Sequence, residues 1–244
     1  MRNLRLQLEY DGTDFRGWQR QPEVRTVQGT VEHAIATVLR HPVDVWGCAR
    51  TDAGVHAVGY IANFHTESDV TIERLCSGLN GVLPDDVVVT AASEAAEDFH
   101  ARFSARARRY TYRIATAPTA VWRRYAYYTH HALDEERMAT AGRLLVGEHD
   151  FTSFTALANE ANPVCVLRSL QVGRGAAGLI EVTVESNRFL FHMVRVIAGT
   201  LMEVGRGRMD PEHMTEVLRK KDRRAAGPTA AAHGLMLVGV YYET

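Results

Sequence analysis

Cysteine is scarce in this chain: Cys48, Cys76 and Cys165 stand far apart, with no CxxC pair among them. That argues against a disulfide framework and against a thiolate zinc site, and it fits a reducing cytoplasmic compartment. Long apolar runs are missing too. The longest, Phe189 to Val204, is interrupted by His192, Arg195 and Glu203, too short and too polar for a membrane span. The first residues alternate apolar and polar as a strand does, without a signal-peptide core, so no leader is expected. Lysine is nearly absent. Of 28 basic residues only Lys220 and Lys221 are lysine and the rest are arginine, a bias that a GC-rich genome explains before any binding role is invoked.

What is present is ordinary in bulk and uneven in detail. Hydrophobic residues make up 46% and charged ones 23% of 244, a composition that folds without staples as one large or two small domains. The net charge of −1 gives no hint of nucleic acid. From Phe99 to Arg124, however, seven arginines occur without an acid, with Phe99, Phe103, Tyr110, Tyr112 and Trp122 among them. Such a strip suits phosphates and stacked bases, although a solvated charged strand and loop reads equally well.

Periodicity organises the chain into two similar halves. Residues 3–10 alternate as a strand, 30–39 repeat at helical spacing up to Pro42, and 43–49 and 60–65 read as strands. A helix over 72–79 and a strand over 87–91 complete a β-α-β-β-α-β order. The second half predicts a strand at 108–115, a helix over 134–146, and strands at 166–172 and 179–185 around a Gly-rich hairpin, Gly173 to Gly178. Helices over 188–204 and 211–220 and a strand at 235–242 follow. Two split β-α-β units imply an α+β fold of two ferredoxin-like halves, residues 1–104 and 105–244, in a mixed sheet with a central cleft.

The segment Ala49 to Ala57 lies between two strands and contains Asp52. From local chemistry alone, a turn aspartate bonded to its own backbone accounts for that residue better than a reactive carboxylate does. His56 has no second ligand at metal spacing and reads as structural. The 11–21 segment, with Asp11, Gly12 and Asp14, lacks the spacing of a calcium or phosphate loop. Arg195 sits in a helix that is apolar nearly all round, so its guanidinium requires a carboxylate, a local bond to Glu203, or an exit to solvent. Tyr110 and Tyr112 share a strand face, and spacing does not rank them.

Six collinear blocks add to this reading. YDGTDFRGWQRQ at 10–21, RTDAGVHA at 50–57, DFHARFSARARRYTYRI at 98–114, EHDFTSF at 148–154, NRFLFHMVR at 187–195 and AGPTAAAHGLML at 226–237 resemble the TruA family of tRNA pseudouridine synthases over nearly the whole chain. The one visible departure is Ala231, where relatives often carry proline. The resemblance implies a pseudouridine-synthase-like fold and an isomerase that converts uridine to pseudouridine at positions 38, 39 and 40 of the tRNA anticodon arm. It implies a homodimer, with tRNA as partner and neither metal nor organic cofactor. It makes Asp52 the catalytic aspartate, Tyr110 a platform for the target base and Arg195 the partner of Asp52. Arg50 then positions RNA, Leu235 packs on the base, and Arg16 and Arg20 suit the RNA-contacting loop. A non-catalytic RNA-binding module of ferredoxin-like fold, and a pseudouridine synthase for another RNA, are the alternatives.

Overall fold

The computed structural model describes residues 1–175 and 177–243. In chain order its elements are β1 (Arg2–Tyr10), α1 (Val27–Leu39), β2 (Val45–Gly47), β3 (His56–Thr66), α2 (Ile72–Asn80), β4 (Val87–Ala95), β5 (Ala105–Ala115), β6 (Tyr127–Tyr128), α3 (Glu135–Arg143), β7 (Gly147–Asp150), β8 (Val164–Arg174), β9 (Ile180–Ser186), α4 (Met193–Gly205), α5 (His213–Lys220) and β10 (Leu235–Tyr242). Short 3₁₀ turns occupy Thr152–Phe154, Arg223–Ala225 and Ala232–Gly234. Ala176, inside the hairpin expected over Gly173 to Gly178, lies outside the described residues. The chain divides into two compact units, Met1–Arg106 with Leu237–Thr244, and Ala107–Met236.

In the first unit β1 lies between β3 and β4, antiparallel to both. Its alternation sends Leu4, Leu6 and Leu8 inward, where all three are fully buried. β2 pairs with β3, Val45 opposite Phe64, and β10 is also a neighbour of β3. The helix α1 starts three residues before the expected Thr30, because the Thr26 side chain accepts a hydrogen bond from Gly29 N and caps it. Its apolar stripe, Val27, Val31, Ala34 and Ile35, is buried.

In the second unit the strand order is β5-β9-β8-β7. The register of β5 on β9 explains the arginine-rich strip. One face sets Tyr110 opposite Val184, Tyr112 opposite Val182 and Ile114 opposite Ile180, all buried. The other face sets Arg109 opposite Glu185, Thr111 opposite Thr183 and Arg113 opposite Glu181. These pairs close as ion pairs at 2.7 and 2.9 Å and a hydroxyl bond at 3.0 Å. Acids remote in sequence therefore neutralise arginines that look unopposed in the strip.

Several expected boundaries move. β7, unforeseen, pairs with β8 through Gly147 opposite Leu167. The helix expected over 134–146 ends at Arg143, and Gly147 at φ +121° turns the chain into that strand. The helix expected from Arg188 begins only at Met193, because His192 is left-handed at φ +62°. Thr155 Oγ1 and Ala156 N both donate to the Phe191 carbonyl, which holds that approach outside the helix.

Candidate active site

The Asp52 segment is built by backbone constraint. Val55 N donates to Asp52 O at 3.2 Å, and Gly54 at φ +77° fills the third position of the turn, the pattern of a type II turn. The residues around it are clamped from four sides. Trp18 N donates to Thr51 O at 3.0 Å, and the Tyr10 and Thr51 hydroxyls share a bond of 2.8 Å. The Tyr60 hydroxyl donates to Ala49 O. Gly12 N donates to His56 Nδ1 at 3.0 Å, which holds the 11–17 loop against the far end of the segment.

Aromatic packing stiffens the clamp. The Trp18 ring stacks on Tyr60 at 4.1 Å, and Tyr10 lies 5.5 Å from Tyr60. Gly17, at φ +91°, passes so close that a Cβ there would lie 2.7 Å from Thr51 O. Asp52 itself is half-buried, between the buried Thr51 and the exposed Ala53. The hydrogen bonds and rings of these neighbours hold the turn in place.

The 11–21 loop is tied down in the same manner. Asp11 Oδ1 accepts from Thr13 N at 2.9 Å, an ordinary Asx turn. Among the described residues no group of three or more His, Cys, Asp or Glu could hold a metal ion. Arg20 donates to the buried Glu32 at 2.8 Å, so its charge is partly committed to the fold. Arg50 is exposed, and among the described residues no carboxylate lies within ion-pair distance of it.

The second unit carries Tyr110, Arg195 and Leu235. Tyr110 is nearly buried, and Phe189 meets it edge-on at 5.1 Å and 90°. Tyr112, the competing tyrosine, is wholly buried with its hydroxyl donating to Ala231 O at 2.9 Å. Burial, and then the neighbouring Tyr127, raise its phenol well above the ordinary range, so it stays neutral. Arg195 is half-buried in the first turn of α4 rather than fully enclosed. Its Nε donates to Ala230 O at 2.8 Å, while Ala230 N donates back to Arg195 O at 3.1 Å. Glu203 is engaged by Arg206 at 2.8 Å and Arg208 at 3.5 Å, two helical turns away from Arg195.

Leu235, buried, follows the Ala232–Gly234 turn, and Gly234 packs against the Tyr112 ring. Ala231 stands at φ −59°, a value proline also adopts, so the substitution there leaves the backbone path intact. Residues 230–235 thereby connect Arg195, Tyr112 and Leu235 into one framework. Trp18, Tyr60, Gly17 and Phe189 carry parts of the two arrangements that periodicity did not single out. Their signal in the sequence is their place inside the matched blocks or beside the turn.

Residues 8–104 and 141–243 match the profile of a family described as tRNA pseudouridine synthase. A protein of Acetivibrio thermocellus named tRNA pseudouridine synthase A is 41% identical over 99% of this chain and 100% of its own length. Proteins of the same name from Actinobacillus pleuropneumoniae serotype 7 and Vibrio vulnificus are 43% and 44% identical, over 98% of this chain and 92% and 91% of theirs. Among solved structures, a chain of a "Cbf5-Nop10-Gar1 Complex" is similar at TM-score 0.38 and 10% identity, over 98% of this chain and 60% of that one. That last likeness is too weak to carry any conclusion.

Proposed function

The chain belongs to the tRNA pseudouridine synthase family, and from that membership we propose that it isomerises uridine to pseudouridine in tRNA, with Asp52 as the catalytic carboxylate. The observation that carries the proposal is the end-to-end match with RTDAGVHA intact at 50–57, on a turn clamped through Thr51, Ala49 and His56. The reaction breaks the N1–C1′ bond, turns the uracil and forms a C5–C1′ bond. A proton leaves C5 and N1 gains one, so no electron donor or acceptor is required.

A carboxylate suits this chemistry, because with an ordinary pKa of ~3.9 aspartate is ionised at neutral pH without a partner base. Attack at C1′, attack at the base and stabilisation of a glycal-like intermediate are all open to it. Fixing it on a clamped turn serves any of these, since small misplacements of a reacting group are costly. Tyr110 is proposed as the platform for the base. Extruding a nucleotide costs a few kcal/mol, and stacking on one ring returns ~1–3 kcal/mol. Arg195 is proposed to aim the catalytic carboxylate, Leu235 to supply an apolar wall for the base, and Arg50 to position phosphate. Family resemblance further supports positions 38, 39 and 40 of the anticodon arm as targets, a homodimer as the working form and the cytoplasm as its place.

The test uses tRNA labelled with tritium at uridine C5. Forming a carbon–carbon bond there must expel the label, whereas a module that only binds RNA leaves it in place. Release of tritium by the purified protein is expected; full retention, with tRNA bound, would favour the non-catalytic reading.

A further inference from the structure

Beside the Asp52 turn, within the first unit, lies a cavity of 380 Å³. Its size is within the range of small-ligand sites, ~300–1,000 Å³. Trp46, His100 and Phe103 form its aromatic wall, Arg50 and Arg102 its cationic rim, and Asp44 contributes the one acid. The rings form a run: Trp46 is 5.8 Å from His100, and His100 is 4.4 Å from Phe103. Phe103 is 75% exposed and Trp46 37%, so the cavity is lined by aromatic surface that the fold leaves in water.

The charges favour an anion with a flat apolar body. Asp44 leans toward Arg20 at 3.9 Å, while Arg50 has no carboxylate within ion-pair distance among the described residues. Arg102 lies 5.5 Å from the Phe103 ring and brings a second guanidinium to the rim. His100 Nδ1 accepts from Arg102 N at 3.1 Å and Phe103 N at 3.4 Å. That fixes the tautomer with the proton on Nε2, a donor suited to a base edge. Burial lowers the His100 pKa; a backbone hydrogen bond opposes this, and the Arg102 charge adds to the lowering.

We infer that this cavity holds an unpaired nucleotide of the substrate RNA adjacent to the target uridine, its base stacked on Phe103 and Trp46 and its phosphate on Arg50 and Arg102. The inference rests on the proposed tRNA substrate. Position argues for a neighbour rather than the target itself: Ala49 and Arg50 line the cavity, but Asp52, two residues on and at most ~7 Å along the chain, does not. Rings joined to guanidiniums stack any base and grip its backbone, which gives affinity with little sequence demand.

The test measures tRNA affinity in the Asp52→Asn protein, where turnover does not intervene. Phe103→Ala is expected to raise Kd about 5- to 150-fold, the loss of one stacked base, and Phe103→Tyr to keep the parent affinity. An RNA series with single abasic positions supplies a readout that a structural role would not move. One abasic site next to the target should weaken the parent by that factor and leave Phe103→Ala no weaker. Unchanged affinity of Phe103→Ala, or penalties equal in both proteins at every position, would overturn the inference. So would a changed oligomeric state of Phe103→Ala in sedimentation, which would assign the patch to a second copy of the chain. Tritium release by the wild type separately decides the isomerase reading, so the two can fail independently.

Discussion

Replacing Gly17 with alanine should separate the stability of the Asp52 turn from its catalytic placement. The residue is left-handed at φ +91°, which costs an L-residue about 1–2 kcal/mol. Its new Cβ would lie 2.7 Å from Thr51 O, closer than real contacts allow, and the atom met is backbone. Relief by backbone shift adds about 1–3 kcal/mol. The total of about 2–5 kcal/mol lowers Tm by about 4–20 °C for a chain of this size. The same shift displaces Thr51, the residue before Asp52. Since ~1 Å of misplacement costs about 100-fold in rate, a few tenths of an ångström should cost about tenfold. Gly207→Ala is the control, with φ +73° and open space around its Cβ; it should lose only the strain energy and no activity. Thermal unfolding and tritium release well below Tm are the assays. If Gly17→Ala lost no more stability than Gly207→Ala and released tritium at the wild-type rate, the clamp argument would be refuted.

Other outcomes follow from the same contacts. Tyr110→Ala should slow single-turnover tritium release about 5- to 150-fold while Tyr110→Phe stays near wild type; equal loss in both would remove the ring from the mechanism. Arg50→Ala should reduce the salt dependence of tRNA binding by about one unit of slope, whereas Arg109→Ala, already tied to Glu185 at 2.7 Å, should change Kd less than about threefold. Salt titrations of both variants decide that contrast. Asp150 offers a pH test. Burial pushes its carboxyl up, but the bonds from Lys221 and Thr152 outweigh this and hold it below the usual range. The folded state therefore binds the proton less readily than the unfolded state. The resulting stability is complete above the ordinary ~3.9 and is lost as pH falls through the depressed folded value. Lys221→Met should lower Tm at pH 6, with the difference vanishing by about pH 2; a difference that persists in acid would contradict the pairing.

What the sequence reveals here depends on whether the deciding contact is local. The alternation of β1 and the apolar stripe of α1 are written in neighbouring residues; β1 forms where expected, and α1 differs only at its start, which the Thr26 cap moves three residues earlier. β7 was hidden because Gly147 to Asp150 is mostly polar and pairs only as an edge strand with β8. The start of α4 is not legible locally because the hydrogen bonds from Thr155 and Ala156 that hold the Phe191 carbonyl come from 35 or so residues upstream. Likewise the strip around Arg109 and Arg113 looked bare because Glu181 and Glu185 reach it only through sheet register. Asp52 stood out through its eight-residue block and not through chemistry visible in isolation. The clamp around it, Trp18 to Thr51 and Tyr60 to Ala49, joins residues distant in sequence that no periodicity connects.

The central claim is that one carboxylate on that turn performs the isomerisation. Asp52→Asn keeps the size of the side chain and removes its charge, so C5-tritium release measured side by side with the wild type, at matched tRNA occupancy, is the most direct measurement. The account predicts bound tRNA with no label released; release at the wild-type rate would contradict it.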